Sequence, residues 1–397
     1  SPSSAASDVY KRQLQDSKSG YWKEPTLKGI LSMKKLSRLL SSGAIALTTA
    51  AAASAASVNV YGLLDYGFSL SRFSGAGEQA RNEWQLSEKS GMRNSSRFGL
   101  RGSENLAPNW SLSFTLESQF LGDSGDFQTA GILWERESSL TLSSPWGRIT
   151  VGRVGQLKSP IGTTGLVGTV MNPFGSAMSN FIGAGNKFVT AGNYFPLNNA
   201  VTYVTPNIAG WTFHGQYSFA NTAEGDYVDA DDRYMAAAAR YKQGAMTVLL
   251  LGDTINKKHE HDISEQPFTV NFGVNYDFGV VKPYFYGQWF RHNALNTAGG
   301  YIKAPGAFNG AGAVFALQWP MWGGKAKVGA GYLSAQADHE NKNDIKRWSF
   351  GLGYDYVVTK TLHWYADAGI MQQNQKTDDS STHLRGSEFV VGMVKYF

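Results

Sequence analysis

The sequence predicts an all-β fold, a membrane-spanning antiparallel β-barrel of sixteen strands. Apolar and polar residues alternate in runs of about 9–13 residues, and a tilted strand needs about 9–11 residues to cross a membrane. The connections between these runs are alternately short and long, as in barrels with turns at one end and loops at the other. No segment after residue 55 has a sustained helical apolar period or an apolar run long enough for a spanning helix.

A cleaved secretory signal peptide is predicted over 33–55. Met33 is followed by a basic region, by an apolar stretch over 39–53 and by the cleavage motif Ala-Ser-Ala at 53–55. A short membrane anchor is the alternative, but the apolar stretch is shorter than the roughly 20 residues that span a bilayer. We therefore expect export across the inner membrane of a bacterium.

The segment before this signal, 1–32, has no periodic pattern and is predicted to be a non-native upstream extension, with a natural disordered extension as the alternative. The barrel is predicted to occupy 56–397. Residues 1–55 carry eight Lys and Arg against three Asp and Glu, which accounts for the whole formal charge of +5. The barrel is therefore neutral, and no nucleic-acid partner is expected.

Each predicted strand has one apolar and one polar face. Between Trp110 and Phe120 the even positions are apolar except Ser118, and every odd position is polar. Side chains of a strand point alternately to opposite faces, so this pattern indicates a strand between lipid and water. The sixteen predicted strands are 58–71, 92–102, 109–121, 133–143, 147–154, 199–206, 210–220, 231–243, 244–253, 267–278, 280–292, 310–320, 324–336, 346–357, 361–373 and 385–397.

The connections between these strands favour a closed barrel. Short turns join the strands in pairs, and the longest of the other connections runs over 155–198. In lipid every backbone polar group must be paired within the protein, which only helices and closed barrels achieve. A soluble β-sandwich is the alternative, but it does not account for the alternating lengths. Six tryptophans lie in or near short turns, where a barrel needs an aromatic girdle: Trp110, Trp146, Trp211, Trp319, Trp322 and Trp364.

Several motifs are spaced along the barrel segment. Tyr61-Gly62 lies in the first strand, and Ser-Arg-Phe-Gly-Leu-Arg-Gly-Ser-Glu-Asn-Leu follows over 96–106. Trp-Gly-Arg-Ile-Thr-Val-Gly-Arg occupies 146–153, Tyr-Val-Val-Thr-Lys-Thr-Leu occupies 356–362, and the last strand ends on Phe397. In their order and spacing these motifs resemble the general diffusion porins of Gram-negative bacteria, and the resemblance covers about 57–397.

The resemblance implies a homotrimeric sixteen-stranded barrel in the outer membrane, with the third long loop folded into the lumen, where it narrows each pore. It implies contact with the lipid bilayer and with the outer-membrane assembly machinery, which reads a terminal aromatic residue such as Phe397. It also implies that arginines matching Arg97, Arg101 and Arg153 line the constriction.

Alternation along the second strand assigns side chains to the lumen. Phe98 and Leu100 share the lipid-facing positions, so Arg93, Arg97 and Arg101 are predicted to form a ladder of positive charge in the lumen. Positions four apart on a strand are about 13 Å apart along it. A rim charge that aids solubility is the alternative for each arginine.

Two other assignments to the lumen complete the predicted wall. By alternation, Arg153 shares the outward-facing positions of its strand, that is, it has outward parity. It is included because it lies at the end of the strand, where the third loop begins. The acids Asp65 and Glu117 have lumen parity, as do Asp355 and Asp367, and are expected to restore charge balance away from the constriction.

The third long loop lacks acids. No Asp or Glu occurs in the 86 residues 138–223, and Lys187 lies in this stretch. The predicted loop tip contains Asn172, Pro173, Phe174 and Gly175, with asparagine near the place where the family usually carries an acid. Rings of charged side chains set the selectivity of a pore. An eyelet with a basic wall and a neutral loop is therefore expected to prefer anions, and the loop tip to set the size limit.

Two clusters lie in predicted external loops. The run 257–262 (Lys-Lys-His-Glu-His-Asp) contains residue types that bind metals, but a solvated charge run is the favoured interpretation. The acids of the fourth long loop are predicted to face lipopolysaccharide or another subunit through divalent cations, or to serve solvation alone: Asp226, Asp229, Asp231 and Asp232.

These features predict a passive channel for small hydrophilic solutes and anions, with no enzymatic activity and no cofactor. No G-x-S-x-G or Walker A sequence is present. The alternatives are a substrate-specific channel for organic acids or phosphate-like anions, an outer-membrane hydrolase that uses a histidine at the rim, and a structural or adhesive barrel with a plugged lumen.

Overall fold

The computed structural model of the chain describes residues 57–76, 80–170, 172–175, 184–192, 196–219, 233–256, 265–295, 306–338 and 343–397. All of them belong to one compact unit, Ala53–Phe397. The predicted upstream extension and signal peptide, 1–55, lie outside the described residues.

The described strands form one antiparallel sheet that closes on itself. The first and last strands pair from Leu63 opposite Tyr396 to Gly75 opposite Leu384, which turns the sheet into a barrel. The strand segments are β1 (Ser57–Gly75), β2 (Gln85–Ser90), β3 (Arg97–Ala107), β4 (Trp110–Gln119), β5 (Glu137–Ser144), β6 (Gly147–Gly155), β7 (Pro196–Val204), β8 (Trp211–Ser218), β9 (Arg233–Gln243), β10 (Met246–Asn256), β11 (Phe268–Tyr276), β12 (Lys282–Asn293), β13 (Phe308–Met321), β14 (Gly324–Ala337), β15 (Asn343–Thr359), β16 (Leu362–Thr377) and β17 (Ser381–Tyr396).

These segments fill sixteen positions around the barrel because β2 and β3 are two parts of one strand. β2 pairs with 66–71 of β1, and β3 pairs with 57–63 of the same strand. The predicted sixteen-stranded barrel is therefore confirmed. The prediction of one uninterrupted second strand over 92–102 is wrong, because residues 91–96 leave the ladder where the carboxylate of Asp65 binds their backbone.

The barrel has an apolar outer face and a polar inner face. In β10 the side chain of Leu250 is 53% exposed, whereas its neighbours Leu249 and Leu251 are buried. Large apolar side chains are exposed around the outer face, among them Phe68, Phe213, Phe272, Phe315, Phe350 and Val391. The inner face carries buried polar side chains, among them Thr202, Gln216, Asn271, Gln288, Ser349 and Gln373. In a bilayer this arrangement places apolar surface against lipid and polar surface in the lumen.

Aromatic residues lie at the short turns, as predicted. The rings of Trp110 and Trp146 meet edge to face with 5.6 Å between their centroids. The hydroxyl of Tyr203 donates to the carbonyl oxygen of Trp146 at 2.6 Å, which fixes this turn to the neighbouring strand. Trp211 contacts Tyr241 at the next short turn, with 5.1 Å between ring centroids. These contacts pack the aromatic side chains of two neighbouring short turns at this end of the barrel.

The connection from β6 to β7 is the third long loop. Its described parts include two short 3-10 helices, Val167–Thr169 and Ala184–Val189. None of the helices in the described residues is long and apolar enough to cross a membrane. Phe174, Phe188 and Val189 of the loop are buried against side chains of the later strands, among them Phe290, Phe308, Leu333, Ile345 and Met371. The main hydrophobic core of the barrel therefore lies between this loop and the wall.

Glycine allows the loop to approach the wall closely. A Cβ atom at Gly312 of β13 would collide with the backbone carbonyl oxygen of Val189. Gly331 of β14 lies under the side chain of the same valine. The absence of a side chain at these two positions leaves room for the loop backbone.

Candidate functional site: the charged lumen

A bulge in the second barrel strand brings Arg93 into the lumen. Asp65 is fully buried on the inner face of β1, and its Oδ2 accepts hydrogen bonds from the backbone N–H of Arg93 at 2.8 Å and of Asn94 at 2.5 Å. Its Oδ1 accepts the hydroxyl of Tyr365 at 2.7 Å. Gly91 has a φ of 71°, a conformation that glycine adopts without strain, at the point where the chain leaves β2. Asp65, a predicted lumen acid, therefore holds the bulge that carries Arg93.

Replacement of Asp65 by alanine is expected to destabilise the barrel by roughly 2–6 kcal/mol, because two partly buried N–H groups lose their acceptor at about 1–3 kcal/mol each. Urea unfolding in detergent micelles, followed by tryptophan fluorescence, measures this loss. Ser71→Ala is the matched control, since Ser71 is buried on the same face of β1 and should cost much less. Equal losses for the two variants would show that Asp65 does not organise the bulge.

Arg93 is neutralised by Asp355 of β15. Its guanidinium forms a bidentate ion pair with Asp355, in which the Nη2–Oδ2 distance is 2.6 Å. The Nζ of Lys327 lies 2.8 Å from Asp355 Oδ1 and 2.9 Å from Asp367 Oδ1. The acids that were expected to restore charge balance elsewhere therefore pair directly with Arg93 and Lys327.

A second charge cluster surrounds Glu117 on β4. Its Oε1 accepts a hydrogen bond from Arg136 Nε at 2.6 Å, and its Oε2 lies 3.3 Å from Arg97 Nε. The hydroxyl of Tyr61 donates to the same Oε2 at 3.1 Å. One buried carboxylate thus holds two guanidiniums.

Arg101 lies on the inner face of β3, as predicted. Its guanidinium carbon lies 4.9 Å from the centroid of the Tyr61 ring, a cation–π contact, and the side chain is exposed. Arg97 and Arg101 share this face, whereas Arg93 lies in the bulge outside the strand ladder. The predicted ladder of three arginines is therefore reduced to two, with Arg93 in a separate ion-paired cluster.

Arg153 is not brought together with these arginines. It has the outward parity of Val151, and its Nε donates to the backbone carbonyl oxygen of Glu135 at 2.6 Å. Its Nη1 also donates to the side-chain oxygen of Asn198. Glu135 lies in the second long loop, which joins β4 to β5, and burial raises the pKa of its carboxyl. Arg153 therefore ties the end of β6 to the second long loop and to β7.

Polar contacts attach the third loop to the wall at several places. The Nζ of Lys158 lies 2.6 Å from Asp253 Oδ2 on β10, and both side chains are buried. The backbone N–H of Thr163 donates to Glu137 Oε2 on β5 at 2.8 Å. The guanidinium of Arg347 on β15 contacts the ring of Phe188. These contacts fix both limbs of the loop.

The loop tip lies beside the bulge. Asn172 Oδ1 accepts the backbone N–H of Phe174 at 2.8 Å, so this asparagine turns the chain. Pro173 and Phe174 are buried, and the Phe174 ring lies 4.9 Å from Lys327 Nζ. Gly175, with a φ of 88°, approaches the backbone of Arg93. The predicted tip is thus packed against the cluster of Arg93 and Lys327.

Lys187 lies in the second 3-10 helix of the loop and is half-buried. Burial lowers its pKa. The side chain is therefore a partly desolvated cation in the part of the chain that contacts β13, β14 and β15.

The lumen acids are more deeply buried than Arg97 and Arg101, although Arg136, Lys158 and Lys327 are buried as well. Arg101 is exposed and the side chain of Arg97 is 26% exposed, so both arginines face water. The acids of these clusters are all buried: Asp65, Glu117, Glu135, Glu137, Asp253, Asp355 and Asp367. Water and mobile ions in the lumen therefore meet the guanidiniums more directly than the carboxylates.

Sequence reasoning missed Arg136 and Lys327. Arg136 has outward parity relative to β5, but it precedes the first residue of that strand, so the parity rule does not apply to it. Lys327 alternates correctly with the inner face of β14, and that pattern was the available signal. The loop clusters at 257–262 and 226–232 lie outside the described residues. Across the ranges that the structure describes, no group of three or more His, Asp or Glu side chains could hold a metal ion.

A closed antiparallel barrel with an apolar outer belt and a charged lumen is the architecture of outer-membrane barrels that conduct solutes. The family model of Gram-negative porins matches residues 41–377, and the chain belongs to this family. It is therefore an outer-membrane porin, a channel for passive diffusion and not an enzyme.

Two curated proteins are similar to the chain over most of its length. An outer membrane porin protein of Bordetella pertussis is 29% identical over 370 residues, which cover 84% of this chain and 93% of that protein. Outer membrane porin protein 32 of Delftia acidovorans is 26% identical over 344 residues, which cover 85% and 90%.

Solved structures share the fold at low identity. An anion-selective porin from Comamonas acidovorans matches with a TM-score of 0.61 and 20% identity, over 86% of this chain and all of that one. A trimer form of OmpT, an outer membrane protein of Vibrio cholerae, matches with a TM-score of 0.59 and 16% identity, over 87% of this chain and all of that one. These matches agree with the barrel topology.

Proposed function

We propose that this porin is a general diffusion pore that prefers anions. The observation that carries the proposal is that every acid of the two charge clusters is buried, whereas Arg101 is exposed and the side chain of Arg97 is 26% exposed. Basic side chains that line a pore favour anions, and a guanidinium keeps its charge at any physiological pH. The relative from Comamonas acidovorans that shares the fold is described as anion-selective, which agrees with this proposal.

We further propose that the third loop folds into the lumen and forms the eyelet together with β3, β4 and β5. The support is that the loop contacts Glu137 through Thr163 at one end and the bulge through Gly175 at the other. Between these two contacts lie Arg97 and Arg136, held by Glu117. The tip 172–175 then sets the size limit, and Lys187 adds positive charge on the loop side.

We propose a homotrimer in which the outer face of the first strands is covered by neighbouring copies. Glu88 lies on the outer face beside Phe68, its cross-strand partner, and Arg153 also has outward parity. A charged side chain on a lipid-facing surface is destabilising, whereas a subunit interface provides partners for it. One solved structure with this fold is a trimer form.

We also propose two binding partners for this porin. The backbone of Phe397 exchanges hydrogen bonds with Gly62 of β1, both at 3.1 Å, so the terminal residue lies at the closing seam. We propose that this residue is recognised by the outer-membrane assembly machinery before the seam forms. Lipopolysaccharide is the proposed partner of the long loops.

Planar-bilayer recording of the refolded barrel tests the proposed function. In a tenfold gradient of potassium chloride we expect a reversal potential of the sign that reports chloride preference. We expect conductance to appear in groups of three equal steps if the trimer is the inserted unit. A reversal potential of the opposite sign would contradict the anion preference, and a current carried by one organic acid with little passage of other small solutes would favour a substrate-specific channel instead.

A further inference from the structure

Three basic side chains lie on the inner face of the barrel, close to the short turns and apart from the proposed eyelet. They are Arg148 of β6, His214 of β8 and Arg240 of β9. Each shares its face with buried inward residues of its own strand, Thr150 for Arg148, Gln216 for His214 and Ala238 for Arg240. Arg148 directly follows the short turn from β5 to β6, and Arg240 lies three residues before the end of β9.

The register of the strands places the three side chains together. Arg148 pairs with Val204 of β7, which pairs with His214, so two strand spacings, or about 10 Å, separate their backbones. Arg240 pairs with Thr212, so it is a diagonal neighbour of His214 at roughly 7–8 Å. An arginine side chain spans these distances, and both guanidiniums act electrostatically on the His214 ring.

This cluster differs from the other lumen clusters because no acid of the described residues neutralises it. Arg93, Arg97 and Lys158 each form an ion pair, but neither Arg148 nor Arg240 lies within ion-pair distance of a carboxylate of the described chain. The Nε of Arg240 is buried and has no hydrogen-bond partner among the described residues. A buried donor without a partner is costly, which favours an acceptor supplied by a solute.

We propose that Arg148, Arg240 and His214 form a second anion-binding station, specific for compact oxyanions with two negative charges such as phosphate, at the short-turn end of the lumen. Guanidiniums bind such oxyanions in a bidentate manner. The Oγ1 of Thr212 lies 2.9 Å from His214 Nε2, which holds the ring in place between the two arginines. The station retains an oxyanion after it has passed the eyelet.

This inference rests on the proposed passage of solutes through the lumen, but it does not require chloride preference at the eyelet. The variant R148Q/R240Q removes both guanidiniums. The matched control K282Q/K325Q removes two positive charges from the same end of the inner face, at β12 and β14, without touching the cluster. A shift in gel mobility between heated and unheated samples shows that each variant folds.

Phosphate block of chloride current in planar bilayers is the first measurement. We expect saturable block of the parent porin, stronger when phosphate is added at the short-turn side. The apparent dissociation constant should rise about tenfold in R148Q/R240Q and stay within about twofold in K282Q/K325Q, since only the former loses the bidentate contacts. Equal block of the two variants would overturn the proposal.

Phosphorus NMR line broadening on the folded protein in detergent micelles is the second measurement, and it needs no current. Broadening of the phosphate signal by the parent porin and by K282Q/K325Q, and its loss in R148Q/R240Q, would support the station. Broadening that survives in R148Q/R240Q would overturn it. A parent porin that broadens phosphate but carries no current would instead refute the proposed diffusion function and leave the station standing.

Discussion

The double substitution R97E/R101E is expected to convert the pore from anion preference to cation preference. It changes the charge at the proposed eyelet by four units, on the exposed Arg101 and the half-buried Arg97. One unit charge about 7 Å from an ion contributes roughly 0.6 kcal/mol even at the dielectric constant of water. Four units therefore change the local concentration of an anion by more than about tenfold, because 1.4 kcal/mol corresponds to a factor of ten.

The reversal potential in a salt gradient measures this change, and low ionic strength keeps screening small. The control is K346E/K376E, which makes the same change of charge on exposed outward-facing positions of β15 and β16, away from the proposed subunit interface. We expect the control to keep the selectivity of the parent porin. If R97E/R101E also keeps it, Arg97 and Arg101 do not control ion selection.

The substitution Asp253→Asn is expected to release the first limb of the third loop. It leaves Lys158 charged and buried without its partner, and breaking a buried ion pair in this way costs about 3–5 kcal/mol. Release of the limb lets Lys158 reach water and avoids that cost. Because the limb would no longer be fixed at β10, we expect a larger single-channel conductance with frequent closures.

The double variant K158M/D253L separates this explanation from a general loss of stability. Replacement of a buried ion pair by apolar side chains of similar size is often neutral or stabilising. We therefore expect K158M/D253L to have a steadier current than Asp253→Asn, with a conductance closer to that of the parent porin. A double variant as noisy as the single one would mean that the ion pair is not what holds the loop.

The strands were predictable because each one faces lipid on one side and water on the other. That constraint produces a period of two over ten or more residues, and it located fifteen of the sixteen barrel strands to within a few residues. The second strand was the exception. Its interruption depends on the carboxylate of Asp65 on β1, about 30 residues away in sequence, and on the positive φ of Gly91. Local periodicity carries no signal for such a contact.

The inward orientation of the charged side chains was predictable from the sequence, but their pairing with one another was not. Parity placed Arg97, Arg101, Asp65 and Glu117 on the inner face, where the structure has them. It did not show that Glu117 binds two guanidiniums or that Arg93 reaches Asp355, which is 262 residues away in sequence. Such pairs depend on how far the strands are staggered around the barrel, and a single strand does not encode the stagger.

The seam between β1 and β17 has a consequence for the order of folding. It joins residues more than 300 positions apart, such as Ser69 and Glu388, which are 319 apart. Contacts of such long range form slowly, because the entropy of loop closure is lost before the contact stabilises anything. Until the last strand is available, each partly formed sheet has two open edges that pair readily with other chains. The nascent polypeptide must therefore be kept apart from other copies of itself on its way to the membrane. Formation of the seam is the last step of folding, and it removes the two open edges.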